Sequence, residues 1–207
     1  ARGGFDLGLD VRGEVRNQAL LAAAGCRERI GSTNYLGSNM RIRGRLLTRS
    51  AGNLALRHRY EMNLDLLRRC FGWSCPLVLP SYRPAGVAPD PRARGAVLVH
   101  PGAAIPQRLW AADRWAAVID RLARTGNPVL LIGGPSDHRV VEAIAGTCAE
   151  NVGPLFPEAK ELVGLVRGAR MMLCLDSGPM HLAVTLGTPV LALFGPGDPR
   201  LWHPPGP

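Results

Sequence analysis

No run of apolar residues in this chain comes near the roughly 20 that a membrane-spanning helix requires, and the first residues lack the basic-then-apolar order of a secretory signal. A soluble, cytoplasmic protein is the expectation. Cysteine is sparse and unpatterned: Cys26, Cys70, Cys75, Cys148 and Cys174 are odd in number, scattered, and never form C-x-x-C. That argues against a disulfide framework or a zinc site, so no metal is expected and reduced thiols are. Neither G-x-G-x-x-G nor a Walker loop occurs, which removes the usual signatures of a dinucleotide redox cofactor and of an NTPase. Lysine is nearly missing as well, with Lys160 alone beside 24 arginines.

The remaining composition, 46% hydrophobic and 20% charged over 207 residues, is that of a globular protein with room for one large domain or two small ones. The net charge of +9 is uneven: residues 1–96 carry 16 arginines against 7 carboxylates, while 97–207 carry 9 charges of each sign. A basic first half can attract a phosphorylated lipid, a membrane surface or nucleic acid. Solvated surface arginine is the plainer reading. Nucleic acid is not expected as a partner, because no aromatic interleaving or recognition motif accompanies the charge.

Along the chain, residues 5–11 alternate as a strand and 17–24 read as an Ala/Leu helix. Residues 31–53, rich in Gly, Ser, Asn and Arg, read as a long loop. Helical spacing returns over 58–71, with Met62, Leu66 and Arg69 on one side and Leu64, Leu67 and Phe71 on another. Residues 80–95 hold Pro80, Pro84, Pro89 and Pro91, the best linker candidate. A first domain over 1–79 and a second over 96–207 follow.

Beyond the linker the pattern becomes strand and helix in alternation: strands at 96–100, 128–132, 171–175 and 189–194, helices at 112–125, 136–146, 158–168 and 179–186. Short continuous apolar strands between helices predict a parallel sheet covered on both faces. Trp115, Val118, Ile119 and Leu122 fall on one stripe of the helix at 112. Ligands of such a sheet bind beyond the carboxyl ends of its strands. There stand four Gly-bearing turns: 100–104 (HPGAA), 133–137 (GGPSD), 176–178 (DSG) and 195–198 (GPGD).

The stretch LDSGPMHLA, residues 175–183, is the most informative. Asp176 or Ser177 can cap the helix that follows, Gly178 admits a ligand close to the backbone, and Pro179 suits the first turn. Free N–H groups and the positive end of the helix dipole make a seat for phosphate or diphosphate. The competing reading is a simple helix start with His181 as a half-buried histidine.

VLVHPGA, RLWAADRWAAVIDRL, VLLIGGPSD and LCLDSGPMHLAVTLGTPVLALFGPGDPRLW follow one another through residues 96–202. In this order they resemble the family nine glycosyltransferases, the heptosyltransferase-like enzymes of lipopolysaccharide core assembly. FDLGLDVRGEVRNQALLAAAGCRERIG and RYEMNLDLLRRCFG resemble, more weakly, the later part of that family's N-terminal domain. The resemblance implies a GT-B-like α/β fold: two Rossmann-like domains with parallel sheets, both incomplete here. It implies inverting, metal-independent transfer of a heptose or related sugar from an ADP-sugar donor to an anionic lipid-linked oligosaccharide, the lipopolysaccharide core. No cofactor is implied beyond the donor substrate, and peripheral contact with the inner membrane surface fits the acceptor.

By motif position, Asp176, Ser177, Gly178 and His181 would lie against the donor diphosphate and sugar. Gly102, Ala103 and Arg108 would meet the phosphates, with Arg108 at a position often lysine in the family. Asp137 would accept from the ribose hydroxyls, and Leu155 would help to wall the adenine. On the acceptor side, Asp10, Arg12 and Arg16 could touch acceptor phosphates, or be plain surface charges. The family's N-terminal Gly/Asp turn, which by resemblance supplies the base for the acceptor hydroxyl, has no match, so the base is expected outside the chain. An internal fragment of a longer enzyme is the expectation; a non-catalytic nucleotide-sugar-binding fragment or a degenerate homologue is the alternative.

Overall fold

A computed structural model describes residues 4–33, 44–78 and 81–204, and the chain divides into two compact units, Ala1–Val78 and Leu79–Pro207. The first unit runs β1 (Leu7–Asp10), α1 (Val15–Ala23), β2 (Glu28–Gly31), β3 (Arg49–Ser50) and α2 (Arg59–Phe71). Its strands form a parallel sheet in the order β1-β2-β3. β1 buries Gly8 and Asp10 and exposes Leu7 and Leu9, because α1 packs down on the glycine side. Of the two faces open for α2, the buried one is Met62, Leu66 and Cys70. The loop expected over 31–53 contains β3 at its end, and its residues 34–43 lie outside the described residues.

The second unit runs β4 (Val97–His100), α3 (Ala112–Arg124), β5 (Val129–Ile132), α4 (His138–Thr147), β6 (Pro154–Leu155), α5 (Ala159–Gly168), β7 (Met171–Leu175), α6 (Gly178–Thr185), β8 (Val190–Leu193) and α7 (Pro199–Trp202). All five strands are parallel, in the order β6-β5-β4-β7-β8. β4 is central and fully buried, and its side chains alternate between two cores. Leu98 faces a cluster with Met172, Leu165 and Met180. Val97 and Val99 face Trp115, Ile119, Val141 and Ile144 on the opposite side. The stripe Trp115, Val118, Ile119 and Leu122 of α3 packs into this second cluster.

The proline-dense stretch expected as a linker lies against the second unit over residues 81–95. Tyr82 N donates to Thr185 O at 2.7 Å and Asp90 N to Gly164 O at 2.8 Å. Arg167 donates to Val87 O, and Arg92 bridges Asp90 and Glu161. Ala93 is buried in the core below.

The chain leaves β4 toward β5 and β6 on one side and returns to β7 and β8 on the other. The switch in direction falls between β4 and β7, where an open α/β sheet leaves a crevice at its carboxyl edge.

Candidate functional site

A cleft of about 290 Å³ opens at that switch point. The turn after β4 contributes His100, Gly102 and Ala103 to its lining, and the turn after β5 contributes Gly134 and Asp137. Ser177 and Gly178 bring in the amino end of α6, and Pro157 follows β6. Five of the nine residues expected on the donor side thus meet in one cavity: Gly102, Ala103, Asp137, Ser177 and Gly178.

Ser177 stands at the N-cap of α6 in extended backbone, φ −152° and ψ 170°, with Pro179 in the first turn. The capping hydrogen bond expected from Ser177 is not made; its Oγ donates instead to Leu175 O at 3.2 Å. The amino end of α6 therefore carries no side-chain cap; Pro179 has no N–H and Met180 N donates to Ser177 O at 3.2 Å, so the Gly178 N–H and the helix's partial positive charge are what it offers an anion. His181 sits in the first turn, half-buried, and does not line the cleft.

Asp176 and Arg108 stand beside the cleft rather than in it, and they hold one another. Arg108 Nη1 donates to Asp176 O at 3.1 Å and lies 3.2 Å from Oδ2. The second contact is not aligned as a hydrogen bond, so among the described residues Oδ2 is held by charge alone. Asp176 is only 5% exposed, and its Oδ2 packs on Gly197, where a Cβ would come within 2.7 Å. The GPGD turn, one of the four expected at the ligand rim, is thus the wall behind this pair. Cys174, one strand position before Leu175, is pushed up to about 12 by burial and by Asp176, so its thiol stays protonated.

Leu155 is also outside the cavity. Its carbonyl accepts from Gly133 N at 3.0 Å and its side chain packs on the core. The next residue, Phe156, stacks on His138 with centroids 3.7 Å apart and planes within 9°.

The residue that sequence reasoning passed over is His100. It ends β4, 6% exposed, with Nε2 3.5 Å from Asp137 Oδ2. Burial pushes its imidazole below the ordinary histidine range, against the pull of the Asp137 carboxylate. A polar residue closing an apolar parallel strand, directly before a Gly turn, was the available signal.

In the first unit, Asp10 is 1% exposed and turned inward. Its carboxylate accepts from Arg12 N, Gly13 N, Asn17 Nδ2 and Gln18 Nε2 at 3.0 to 3.3 Å, which shapes the turn into α1 and leaves it unavailable to a bound phosphate. Arg12 and Arg16 are accessible, one on each oxygen of Glu14 at 2.6 and 2.7 Å. Among the described residues, no three His, Cys, Asp or Glu side chains are grouped to hold a metal ion, and no helix is long and apolar enough to cross a membrane.

A doubly wound parallel sheet with Gly turns and a helix amino end at its switch point defines an α/β protein of the Rossmann-like class. The chain belongs to glycosyltransferase family 9 (heptosyltransferase), whose family model matches residues 2–207. Lipopolysaccharide heptosyltransferase 3 of Escherichia coli (strain K12) is 34% identical over 113 residues, 52% of this chain and 33% of that protein. Lipopolysaccharide heptosyltransferase 1 of Pseudomonas aeruginosa is 26% identical over 206 residues, 94% of this chain and 56% of that protein. The chain therefore spans between a third and somewhat over half of these relatives. Among solved structures, E. coli heptosyltransferase WaaC with ADP superposes with a TM-score of 0.71 at 21% identity, covering 98% of this chain and 64% of that one. WaaC with ADP-2-deoxy-2-fluoro heptose gives 0.69 at 19% identity, over 97% and 64%. The fold is thus the α/β, GT-B-like class expected, with parallel sheets in both units.

Proposed function

We propose that this chain carries the donor-binding part of a glycosyltransferase that moves a heptose, or a related sugar, from an ADP-sugar to a lipopolysaccharide core acceptor. The observation that carries the reading is the convergence of an uncapped helix amino end with the β4 and β5 turns around one cleft at the sheet's switch point. A diphosphate matches that geometry, since its charge meets backbone N–H groups and the helix dipole. Relatives named as heptosyltransferases, and a structural neighbour solved with ADP and with an ADP-heptose analogue, support the donor class.

The reaction is a single displacement with inversion, without a metal. The acceptor hydroxyl oxygen forms a bond to the anomeric carbon as a general base takes its proton, and the bond from that carbon to the β-phosphate oxygen breaks. The electron pair leaves with ADP. Charge developing on the diphosphate is met by the amino end of α6 and by Arg108, which stands beside the cleft in its pairing with Asp176. Losing one such donor costs about 10²- to 10³-fold in rate. The Phe156–His138 stack walls the base, and Arg12 and Arg16 receive acceptor phosphates. The acceptor's lipid places the enzyme at the cytoplasmic side of the inner membrane.

Calorimetry with ADP tests the site. The chain binds ADP, and Ser177→Ala weakens it by about tenfold, equivalent to 1.4 kcal/mol. Unchanged affinity in this variant, or no binding by the parent chain, overturns the assignment.

A further inference from the structure

Three groups from two strand ends close on one carboxylate in the wall of the cleft. Asp137 Oδ2 accepts from Gly134 N at 2.8 Å and lies 3.5 Å from His100 Nε2. Across from them is Gly102, where a Cβ would collide with the carboxylate itself. Only a glycine there lets Asp137 sit so deep. Oδ1 has no donor among the described residues.

His100 is buried, and its Nδ1 has no hydrogen-bond partner among the described residues. A ring with one nitrogen facing a carboxylate and the other facing no partner carries its proton on the carboxylate side. Nε2 is then the protonated nitrogen, 3.5 Å from Oδ2. The three residues before it, Val97, Leu98 and Val99, show that an apolar side chain is what this strand otherwise uses. A histidine here leaves a polar nitrogen buried, which costs stability. A purpose for Nε2–H offsets that cost.

We propose that His100 is a positioning residue for the nucleotide: its Nε2–H fixes the Asp137 carboxylate so that Oδ1 accepts from a vicinal diol, the ribose of an ADP-type ligand. This rests on the nucleotide-sugar reading of the cleft and adds a residue whose effect on the diol runs through Asp137. The 3.5 Å separation is long for a hydrogen bond, and such contacts tighten when the ligand is bound. Burial keeps the imidazole neutral near pH 7, so the single Nε2 proton suffices.

The test compares ADP with 2′,3′-dideoxy-ADP, which lacks the diol, by calorimetry on the full chain. The parent protein prefers ADP by about tenfold, as expected for hydrogen bonding to a charged acceptor. His100→Leu abolishes the preference by lowering ADP affinity to that of the dideoxy compound, whose own affinity does not move. His100→Gln, which keeps an N–H donor, restores part of the preference, and Asp137→Asn reproduces the loss. Thermal unfolding confirms that each variant is folded. A preference retained in His100→Leu, or an equal fall for both ligands, overturns the proposal and leaves the nucleotide site standing. A parent chain that binds neither ligand overturns both.

Discussion

Asp120, buried on α3, accepts from Ala149 N and Glu150 N at 3.0 Å each, so one carboxylate fastens the segment after α4. Glu150 N–H first, and Ala149 N–H with it, holds the carboxyl below its ordinary range. The folded protein thus releases this proton more readily than the unfolded chain does. The stabilisation is fully present above the unfolded value near 3.9 and is lost as pH falls through the lower folded one. Asp120→Asn should lower the urea midpoint at pH 7, with the deficit shrinking as pH is lowered from about 4. A deficit that stays constant with pH would mean that the charge plays no part. Residue-level chemistry was the least legible in sequence. Asp137 was expected at the ribose from its motif position, whereas nothing in the sequence marks Asp10 and Asp120 as holders of main-chain N–H groups, which only the folded backbone shows. Gly102 and Asp176 drew notice through their motifs, but their contacts with Asp137 and Arg108 join residues far apart in sequence.

Among the elements, α3, α5 and α6 and the strands β4, β5, β7 and β8 were readable because each is a continuous apolar run or carries an apolar stripe, although the edge strand β8 leaves Leu191 exposed. β2 and β6 were not. β2 reads Glu28-Arg29-Ile30-Gly31, half of it charged, and is a strand because β1 and β3 pair with its two edges. β6 is two residues that complete the sheet edge beside β5. The stretch 80–95 was read as a linker from its prolines. Over 81–95 the chain instead lies along the second unit, with one 3-10 turn at Pro91–Ala93 against α5, and the fit is close. A Cβ on Gly168, the last residue of α5, would lie 2.5 Å from Asp90 O and 3.2 Å from Ala93 Cβ. Gly168→Ala should therefore destabilise by about 1–3 kcal/mol, as overpacking does. A urea midpoint equal to that of the parent would show that the strap is loosely held.

For the molecule as a whole, every group assigned to the donor lies in the second unit, and the excess positive charge lies in residues 1–96. The second unit has its own sheet and two cores. Residues 79–207 alone should bind ADP with the affinity of the full chain, measured by calorimetry with circular dichroism to verify the fold. A folded but non-binding fragment would place part of the donor site in residues 1–78. The strand order also governs how this unit comes into being. Val97 pairs with Val129 on one flank and with Met171 on the other. During synthesis β5 follows β4 closely, whereas β7 emerges only after α3, β5, α4, β6 and α5. Until then the second flank of β4 is an open edge of unpaired N–H and C=O groups, the kind of edge that invites association between chains. The cleft needs His100 from β4 and Ser177 after β7, so it is among the last features to form. A ligand of the cleft can steady this unit only once β7 and the residues that follow it have been made.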